Sequence, residues 1–317
     1  MNLIDFNNAE PSGIYYGGHS GNKKEIIYNN ERWFLKYPKS TKDMDVKNLS
    51  YTTSPLSEYI ASQIYNSIGI DVHQTLLGIA NNKVVVACKD FLRDSETIQD
   101  YNMIRNNYDE KIVDKLDEMD SSSSLTIDDI DELLVIMNEY PELKERFWDM
   151  FIVDALLGNN DRNESNWGII LDKSTGNKRL APVYDNGSSF NTKSSNEKLE
   201  DIYNDEFKFK QSVYENVVSA FGKNDKRINP LKYIEQSDNK DLFGSINKII
   251  PKIDLEKIKD IIYSIPTYSE NGIEVCSDIQ KKFYYKSIEY RLENVLIPKY
   301  KKIEKLSKSK EQNRDER

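Results

Sequence analysis

Apolar and polar residues alternate in two pairs of short segments near the start of the chain. The first pair is "KEIIY" and "RWFLKY", joined by "NNE", and the second is "TLLGIA" and "KVVVACKDF", joined by "NN". Alternation with a period of two, interrupted by a short polar turn, predicts β-hairpins. Between the hairpins, "SPLSEYIASQIYNSIGI" has apolar residues at helical spacing. We expect Ser54 to cap this helix, Pro55 to occupy its first turn and Gly69 to end it.

The pattern becomes helical after Phe91. The strongest helix prediction is "PELKERFWDMFIVDALLG", with Pro141 at its start and Gly158 at its end. It follows a low-complexity break, "DEMDSSSSLTIDD". Further helices are predicted in "FKQSVYENVVSAF", "DLEKIKDIIYSI" and "DIQKKFYYKSIEYRLENVL", and we expect Pro298 to interrupt the last of them.

These segments predict an α+β protein with two lobes. Residues 1–92 form a small β-rich lobe with one helix, and residues 93–306 form a larger helical lobe. The polar end of the chain, residues 307–317, is expected to be a disordered tail. We find no internal repeats.

Composition limits the classes of protein that the chain can represent. Of the 317 residues, 38% are hydrophobic and 31% are charged, and no apolar run is long enough to predict a membrane-spanning helix. The start of the chain lacks signal-peptide features, so we expect synthesis in the cytoplasm, with export by another route left open. The net charge of −9 argues against a nucleic-acid partner, although "KYKKIEKLSKSK" is locally basic. Two cysteines, Cys88 and Cys276, are too few for a disulfide framework. We expect a monomer.

The segment "GNNDRNESNWG" is a polar loop that follows the strongest helix prediction. It places Asp161 and Asn166 five residues apart, and "RLAPVYDNGSSF" then places Asp185 after a strand-like run. Such hard oxygen ligands suit Mg²⁺, which fills its other positions with water and phosphate oxygens. A calcium-binding loop counted from Asn159 does not fit. Its sixth position would be Glu164 where such a loop has Gly, and its twelfth would be Ile170 where it has Glu. The alternative is that these side chains only make local turns.

Features upstream of the loop favour the functional interpretation. The glycine-rich "YYGGHSGNKKE" could bring backbone N–H groups close to a phosphate. Lys36 shares a strand face with Phe34 and therefore needs a partner, for which Glu58 on the following helix is suited. Alone, each feature also occurs in ordinary turns and surface pairs. Their order along the chain is that of the phosphoryl-transfer groups in protein kinases.

The two motifs "LLGNNDRNESNWG" and "APVYDNGSS" resemble the catalytic core of the HipA-like serine/threonine kinases. That family typically shows Gly-Asn-x-Asp-Arg-His-x-x-Asn followed by Pro-x-x-Asp-x-Gly. The resemblance implies a bilobed protein-kinase-like fold with Asp161 as the catalytic base. It also implies that Asn166 and Asp185 hold Mg²⁺, and that Lys36, held by Glu58, contacts the α- and β-phosphates of ATP.

The resemblance also implies a nucleotide site in the first lobe. A phosphate-covering loop would run from Gly17 to Lys23, and an adenine-side hinge would lie near Ala87 to Asp90. The positions implied in these two segments are Gly17, Gly18, Ser20, Gly21, Lys23, Ala87, Cys88 and Asp90. The resemblance further implies that phosphorylation of the glycine-rich segment switches off ATP binding, because the added charge would repel the phosphates of the nucleotide; Ser20, Tyr15 and Tyr16 are the candidate positions. Arg162 and Asp154 would brace the catalytic loop.

Asn163 departs from the family pattern, which has His at that position. An Asn side chain still donates and accepts hydrogen bonds but carries no charge. The N-terminal subdomain of the longer HipA toxins is expected to be absent, so the resemblance does not imply an antitoxin partner. We predict a Mg-ATP-dependent serine/threonine protein kinase of unknown protein substrate. The alternatives are a small-molecule or lipid phosphotransferase and a nucleotide-binding pseudokinase.

Overall fold

The computed structural model describes residues 1–11, 23–106, 127, 141–223 and 226–315. A sheet-rich lobe with one long helix is followed by a larger lobe built mainly of helices. The predicted α+β fold with a small β-rich lobe and a larger helical lobe is confirmed. The predicted phosphate-covering positions Gly17, Gly18, Ser20 and Gly21 lie outside the described residues, together with Tyr15 and Tyr16 and all of the low-complexity break except Ile127.

The first lobe contains a six-stranded sheet of order β1-β5-β6-β4-β3-β2. Its strands are β1 (Ile4–Asp5), β2 (Glu10–Pro11), β3 (Lys23–Tyr28), β4 (Glu31–Lys36), β5 (Thr75–Ala80) and β6 (Lys83–Lys89). Both predicted hairpins are present, and each turns on two Asn residues with positive φ, Asn29–Asn30 and Asn81–Asn82. Asn tolerates this left-handed conformation, which matches the twist of tight hairpins. In this register Lys36 pairs with Val86 on β6.

Helix α1 (Ser54–Ile68) packs against the sheet between the two hairpins. It ends at Gly69, whose φ of 83° places it in the left-handed region. The prediction that Ser54 caps the helix is wrong. The N-cap is Thr53, and the helix start is held by the Thr53 N–H, which donates to the carbonyl of Thr192 in the second lobe at 3.0 Å.

The described part of the second lobe consists of helices with two small sheets. The helices are α2 (Tyr101–Asn106), α3 (Pro141–Leu157), α4 (Asn196–Asn204), α5 (Glu206–Lys210), α6 (Pro230–Gln236), α7 (Lys240–Ile249), α8 (Leu255–Tyr263), α9 (Asp278–Arg291) and α10 (Ile297–Asp315). The strands are β7 (Glu96–Asp100), β8 (Gly168–Asp172), β9 (Lys178–Leu180), β10 (Gly222–Lys223) and β11 (Lys226–Arg227). Within the described helices, none combines the length and apolar character needed to cross a membrane.

Two expectations for the helical lobe differ from the structure. Pro298 does not interrupt the C-terminal helical run, because a π-helical turn over Leu292–Leu296 precedes it and it occupies the first turn of α10. Helix α10 continues to Asp315, and the expected disordered tail stays a prediction. Another π-helical turn, Gln211–Glu215, ends the helix predicted in "FKQSVYENVVSAF" near its middle.

The sheet of the first lobe separates two apolar cores. One face, together with α1, belongs to the main core that continues into the helical lobe. The other face has its own small cluster, formed by Phe6, Ile26, Trp33, Leu35, Ala80, Val85 and Ala87. Strand alternation therefore turns Trp33 and Leu35 into the small cluster and leaves Phe34 and Lys36 on the opposite face.

Gly78 on β5 packs closely against strand β1, with which it pairs at Ile4. A Cβ at this position would lie 2.2 Å from the carbonyl oxygen of Ile4 and 2.6 Å from the ring of Phe6. Gly78→Ala should therefore lower the free energy of unfolding by about 1–3 kcal/mol. The matched control is Gly244→Ala on α7, where the added methyl meets nothing within 4 Å, and which should raise it by about 0.5–1 kcal/mol. Urea unfolding measures both, and equal effects of the two changes would contradict the packing argument.

Candidate functional site

The loop after α3 holds Asp161 in a defined conformation. Its N–H donates to Asn159 Oδ1 at 3.1 Å, and its carbonyl accepts from the Asn163 N–H at 2.8 Å. The Asn166 Nδ2 donates to the same carbonyl. The Asp161 side chain is exposed and lines the cleft between the lobes. The backbone is thus fixed from three sides, while the carboxylate stays accessible.

Arg162 is the buried centre of this region. Its Nε donates to Asp154 Oδ2 at 2.8 Å, and its Nη2 donates to Asn186 Oδ1. Asp154 lies on α3 and also accepts from Tyr65 Oη at 2.8 Å and from Asn159 Nδ2 at 2.9 Å. Burial disfavours the charged guanidinium, but the carboxylate of Asp154 outweighs this and raises the Arg162 pKa. Arg162 therefore stays charged, and its contacts through Asp154 connect α1, α3 and the loop.

The same guanidinium brings the two predicted metal ligands together. Arg162 Nη1 donates to the carbonyl of Asn166 and also to the carbonyl of Tyr184, the residue before Asp185. Two loops that are distant in sequence are therefore anchored on one nitrogen. Because Asn166 uses its Nδ2 to reach Asp161, its Oδ1 is left for another partner.

Lys36 lies between two carboxylates. Its Nζ is 2.9 Å from Glu58 Oε2 and 2.8 Å from Asp185 Oδ1, so it connects β4, α1 and the segment after β9. Burial lowers the Lys36 pKa, but the charges of Glu58 and Asp185 outweigh burial and hold it above its ordinary value. Lys36 in turn lowers the pKa of Asp185. All three groups are therefore charged at neutral pH.

Glu58 is almost fully buried, with 3% of its side chain exposed. Burial by itself would raise its pKa, but the charge of Lys36 and a hydrogen bond with His73 hold it well below its ordinary value. Gly187 lies against this carboxylate, since a Cβ there would be 3.0 Å from Glu58 Oε2. A side chain at position 187 would push the helix and the Asp185 segment apart.

Five of the predicted site residues line one cleft of about 220 Å³. Its lining includes Lys23, Lys36, Glu58, Asp161 and Asp185. Lys23 is the first residue of β3 and the last residue of the predicted phosphate-covering loop. The structure thus brings three carboxylates and two lysines to one place, although the sequence separates Lys36 from Asp185 by 149 positions. Their roles remain predictions.

The predicted hinge residues Ala87, Cys88 and Asp90 have different environments in the structure. The Ala87 side chain is buried in the small cluster on the far side of the sheet. Cys88 faces the cleft side, and burial raises the pKa of its thiol. Asp90 pairs with Arg32 at 3.3 Å, and its N–H donates to the Arg32 carbonyl at 2.9 Å. At Ala87, β6 is also paired with β4 on one side and β5 on the other, so the predicted adenine contact at this position stays a prediction.

Several residues of the site were not singled out from the sequence. Asn159 and Asn186 lie inside the two motifs, so the motifs pointed to the right segments but did not single out these side chains. Tyr65, Ser62 and His73 lie outside both motifs and carry no distinguishing sequence signal. Glu58, His73 and Cys88 bring candidate metal-ligand atoms within 4.8 Å of one another. Both Glu58 oxygens already accept hydrogen bonds, so we interpret this cluster as a hydrogen-bonded network.

The Glu58 ion pair should make stability depend on pH. A carboxylate with a lowered folded-state pKa contributes stability that is present above its unfolded value, near 4.3, and is lost as the pH falls towards the folded value. Glu58→Gln should therefore be less stable than the wild type at pH 7. The difference should shrink between about pH 5 and about pH 3. Urea unfolding at several pH values measures it, and a constant difference would contradict the assignment.

Comparisons with known proteins agree on one family. The family model described as "HipA-like C-terminal domain" matches residues 20–239. The chain is 33% identical over 302 residues to the serine/threonine-protein kinase CtkA of Helicobacter pylori strain J99, covering 93% of this chain and 87% of that protein.

Solved structures show the same relationship. The crystal structure of a Helicobacter pylori proinflammatory kinase CtkA matches with a TM-score of 0.80 and 29% identity, over 96% of this chain and 99% of that one. A HipA–HipB–operator DNA complex from Shewanella oneidensis MR-1 matches with a TM-score of 0.52 and 14% identity, over 91% of this chain and 68% of that one, and supports the fold alone. The Asp161 and Asp185 motifs lie within the span of the family model, and the chain belongs to the HipA-like C-terminal domain family.

Proposed function

We propose that the protein is a Mg-ATP-dependent serine/threonine protein kinase that transfers the γ-phosphate of ATP to a protein hydroxyl. The observation that carries this proposal is the position of Lys36, between Glu58 and Asp185 in the cleft that Asp161 lines. A cation held beside two carboxylates next to an accessible third is the arrangement that phosphoryl transfer needs. The relative CtkA is named a serine/threonine-protein kinase, which supports the same reaction.

Asp161 would act on the acceptor hydroxyl. Its exposed carboxylate can accept a hydrogen bond from a Ser or Thr side chain. It can take up the hydroxyl proton as the oxygen bonds to the γ-phosphorus and the bond from that phosphorus to the departing ADP breaks. Its backbone is fixed by Asn159, Asn163 and Asn166, so little reorganisation is required when the substrate binds.

Asn166 and Asp185 fit a magnesium site. Asn166 supplies an amide oxygen, whose orientation is set by the hydrogen bond from its Nδ2 to the Asp161 carbonyl. Asp185 supplies an ionised carboxylate, and 38% of its side chain is exposed. A set of few hard oxygen ligands suits Mg²⁺, which keeps water and phosphate oxygens in its other positions. Bound there, Mg²⁺ would neutralise phosphate charge. Arg162 keeps the two ligands adjacent by binding the carbonyls of Asn166 and Tyr184.

Lys36 would contact the α- and β-phosphates of ATP. Held by Glu58, its ammonium group is presented to the cleft in a fixed direction, and Lys23 adds positive charge to the same lining. Autophosphorylation belongs to the same proposal, with Ser20, Tyr15 or Tyr16 as acceptor. A small-molecule or lipid acceptor would use the same residues, so the type of acceptor has to be decided by experiment.

The Asn163 side chain supports the conformation of the loop. Its Oδ1 accepts from the Ser165 N–H at 2.9 Å, and its Nδ2 lies 3.3 Å from Asp161 Oδ1. The side chain therefore orders the turn and contacts the base by neutral hydrogen bonds. This geometry favours an active enzyme over a pseudokinase.

Asp161→Asn should abolish transfer without abolishing nucleotide binding. Removing a general base lowers kcat by about 10²–10⁴-fold. Radiolabel transfer from γ-labelled Mg-ATP, to the protein itself and to a generic protein acceptor, measures activity, and calorimetry measures binding. The control is Asp260→Asn on the exposed face of α8, which should behave like the wild type. Transfer only to small molecules or lipids would indicate the alternative acceptor, and binding without any wild-type transfer would indicate a pseudokinase.

Asn163→Ala should lower kcat by about fivefold to tenfold, since it removes hydrogen bonds that each contribute about 1 kcal/mol. Asn163→His, which restores the family residue and a hydrogen-bonding ring, should keep at least wild-type kcat. Steady-state kinetics compares the two variants. If Ala at this position matched the wild type, the ordering role of Asn163 would be excluded.

A further inference from the structure

In the described part of the chain, three donors share the Glu58 carboxylate. Oε2 accepts from Lys36 at 2.9 Å, and Oε1 accepts from the Asn186 N–H at 2.9 Å and faces His73 Nε2 at 3.0 Å. The first donor would contact the nucleotide, and the second follows Asp185 directly. His73 is the third, and neither the sequence pattern nor the family resemblance assigns it a role.

His73 is fixed at the contact between the two lobes. Its N–H donates to the Val183 carbonyl at 3.0 Å, and the Val183 N–H donates to the Asp71 carbonyl at 2.9 Å. Val72 and Val183 form a parallel β-bridge. His73 is thus tied through its backbone to the segment that ends in Asp185, two residues later, and only 3% of its side chain is exposed. The backbone contact places the ring beside Glu58, and the ring is enclosed by the surrounding protein.

The proton between His73 and Glu58 can be assigned. An ionised carboxylate only accepts hydrogen bonds, so Nε2 of His73 carries the hydrogen. The same nitrogen lies 3.2 Å from Ser62 Oγ, one turn further along α1, and Ser62 accepts from Asn186 Nδ2 at 3.0 Å. Asn186 and His73 therefore hold Glu58 Oε1, Ser62 contacts both of these residues, and Oε2 accepts from Lys36.

We infer that His73 is a positioning residue for the ATP-binding lysine and acts through Glu58. Without a donor at this position, Glu58 Oε1 would lose a charge-assisted hydrogen bond and the carboxylate would gain rotational freedom. Lys36 would then be held mainly by Asp185, which lies 2.8 Å away. That shift would draw the ammonium group off the phosphates and occupy a carboxylate needed for Mg²⁺. The inference rests on the proposed function.

The variants are His73→Leu, which keeps volume but removes the donor, and His73→Gln, whose amide nitrogen can reach the Nε2 position. The Kd of AMP-PNP with Mg²⁺ should rise about tenfold in His73→Leu, because a hydrogen bond to a charged group is lost, and by less than about threefold in His73→Gln. The KM for the protein acceptor should not change in either variant. The control is Gln74→Leu, an exposed neighbouring position, which should bind like the wild type.

A double-mutant cycle separates this role from a structural one. If His73 acts through Glu58, then His73→Leu should add little to the loss of affinity already caused by Glu58→Gln. If His73→Leu does not fold, His73→Gln and His73→Asn form a matched polar pair. The Asn amide nitrogen falls near the Nδ1 position, so only the Gln variant should retain affinity.

Three outcomes would overturn the inference. Wild-type affinity in a folded His73→Leu variant, additive effects in the cycle, or equal losses in the Gln and Asn variants would each show that the donor at Nε2 does not position Lys36. Failure of the wild-type protein to bind AMP-PNP would overturn the proposed function as well. The two failures are distinguishable, because only the second affects the unmodified protein.

Discussion

The structure of the site depends on one buried charge, the guanidinium of Arg162. A planar group with five donors in fixed directions can be buried only if matched acceptors surround it. Here a carboxylate from α3, the side chain of Asn186 and the carbonyls of Asn166 and Tyr184 meet that requirement. Because these acceptors come from three separate segments, satisfying the guanidinium also places the candidate base and both candidate metal ligands. Removing one partner of such a buried pair typically costs about 3–5 kcal/mol.

A second charge joins the lobes. Lys36 is held by Glu58 and Asp185, and α1 is further tied to the segment after Asp185 through neutral hydrogen bonds. Ser57 Oγ donates to the Ser189 carbonyl at 2.7 Å, and the Thr53 N–H reaches the Thr192 carbonyl. The helix that carries Glu58 is therefore packed on the segment that carries Asp185. Gly187 allows this close approach because it has no side chain.

Asn163 stands where the family pattern has histidine. The pattern by itself leaves open whether the loop keeps its conformation without that histidine. In the structure the Asn side chain supports the turn and contacts Asp161, so the loop conformation does not require a charged ring. The departure concerns one hydrogen-bonding group, whereas Lys36, Asp161, Asn166 and Asp185 are all retained in one cleft region.

From the amino-acid sequence alone we could predict the two hairpins, helix α1 with its end at Gly69, helix α3 and the order of the candidate groups along the chain. These follow from periodicity and turn residues, which act between near neighbours. The folded arrangement was needed to show that Arg162 unites the two loops and that Glu58 is shared with His73. It also shows that Ala87 faces away from the cleft and that the helical run continues through Pro298. Burial and long-range hydrogen bonding control these features, because they depend on segments that meet only after the chain has folded.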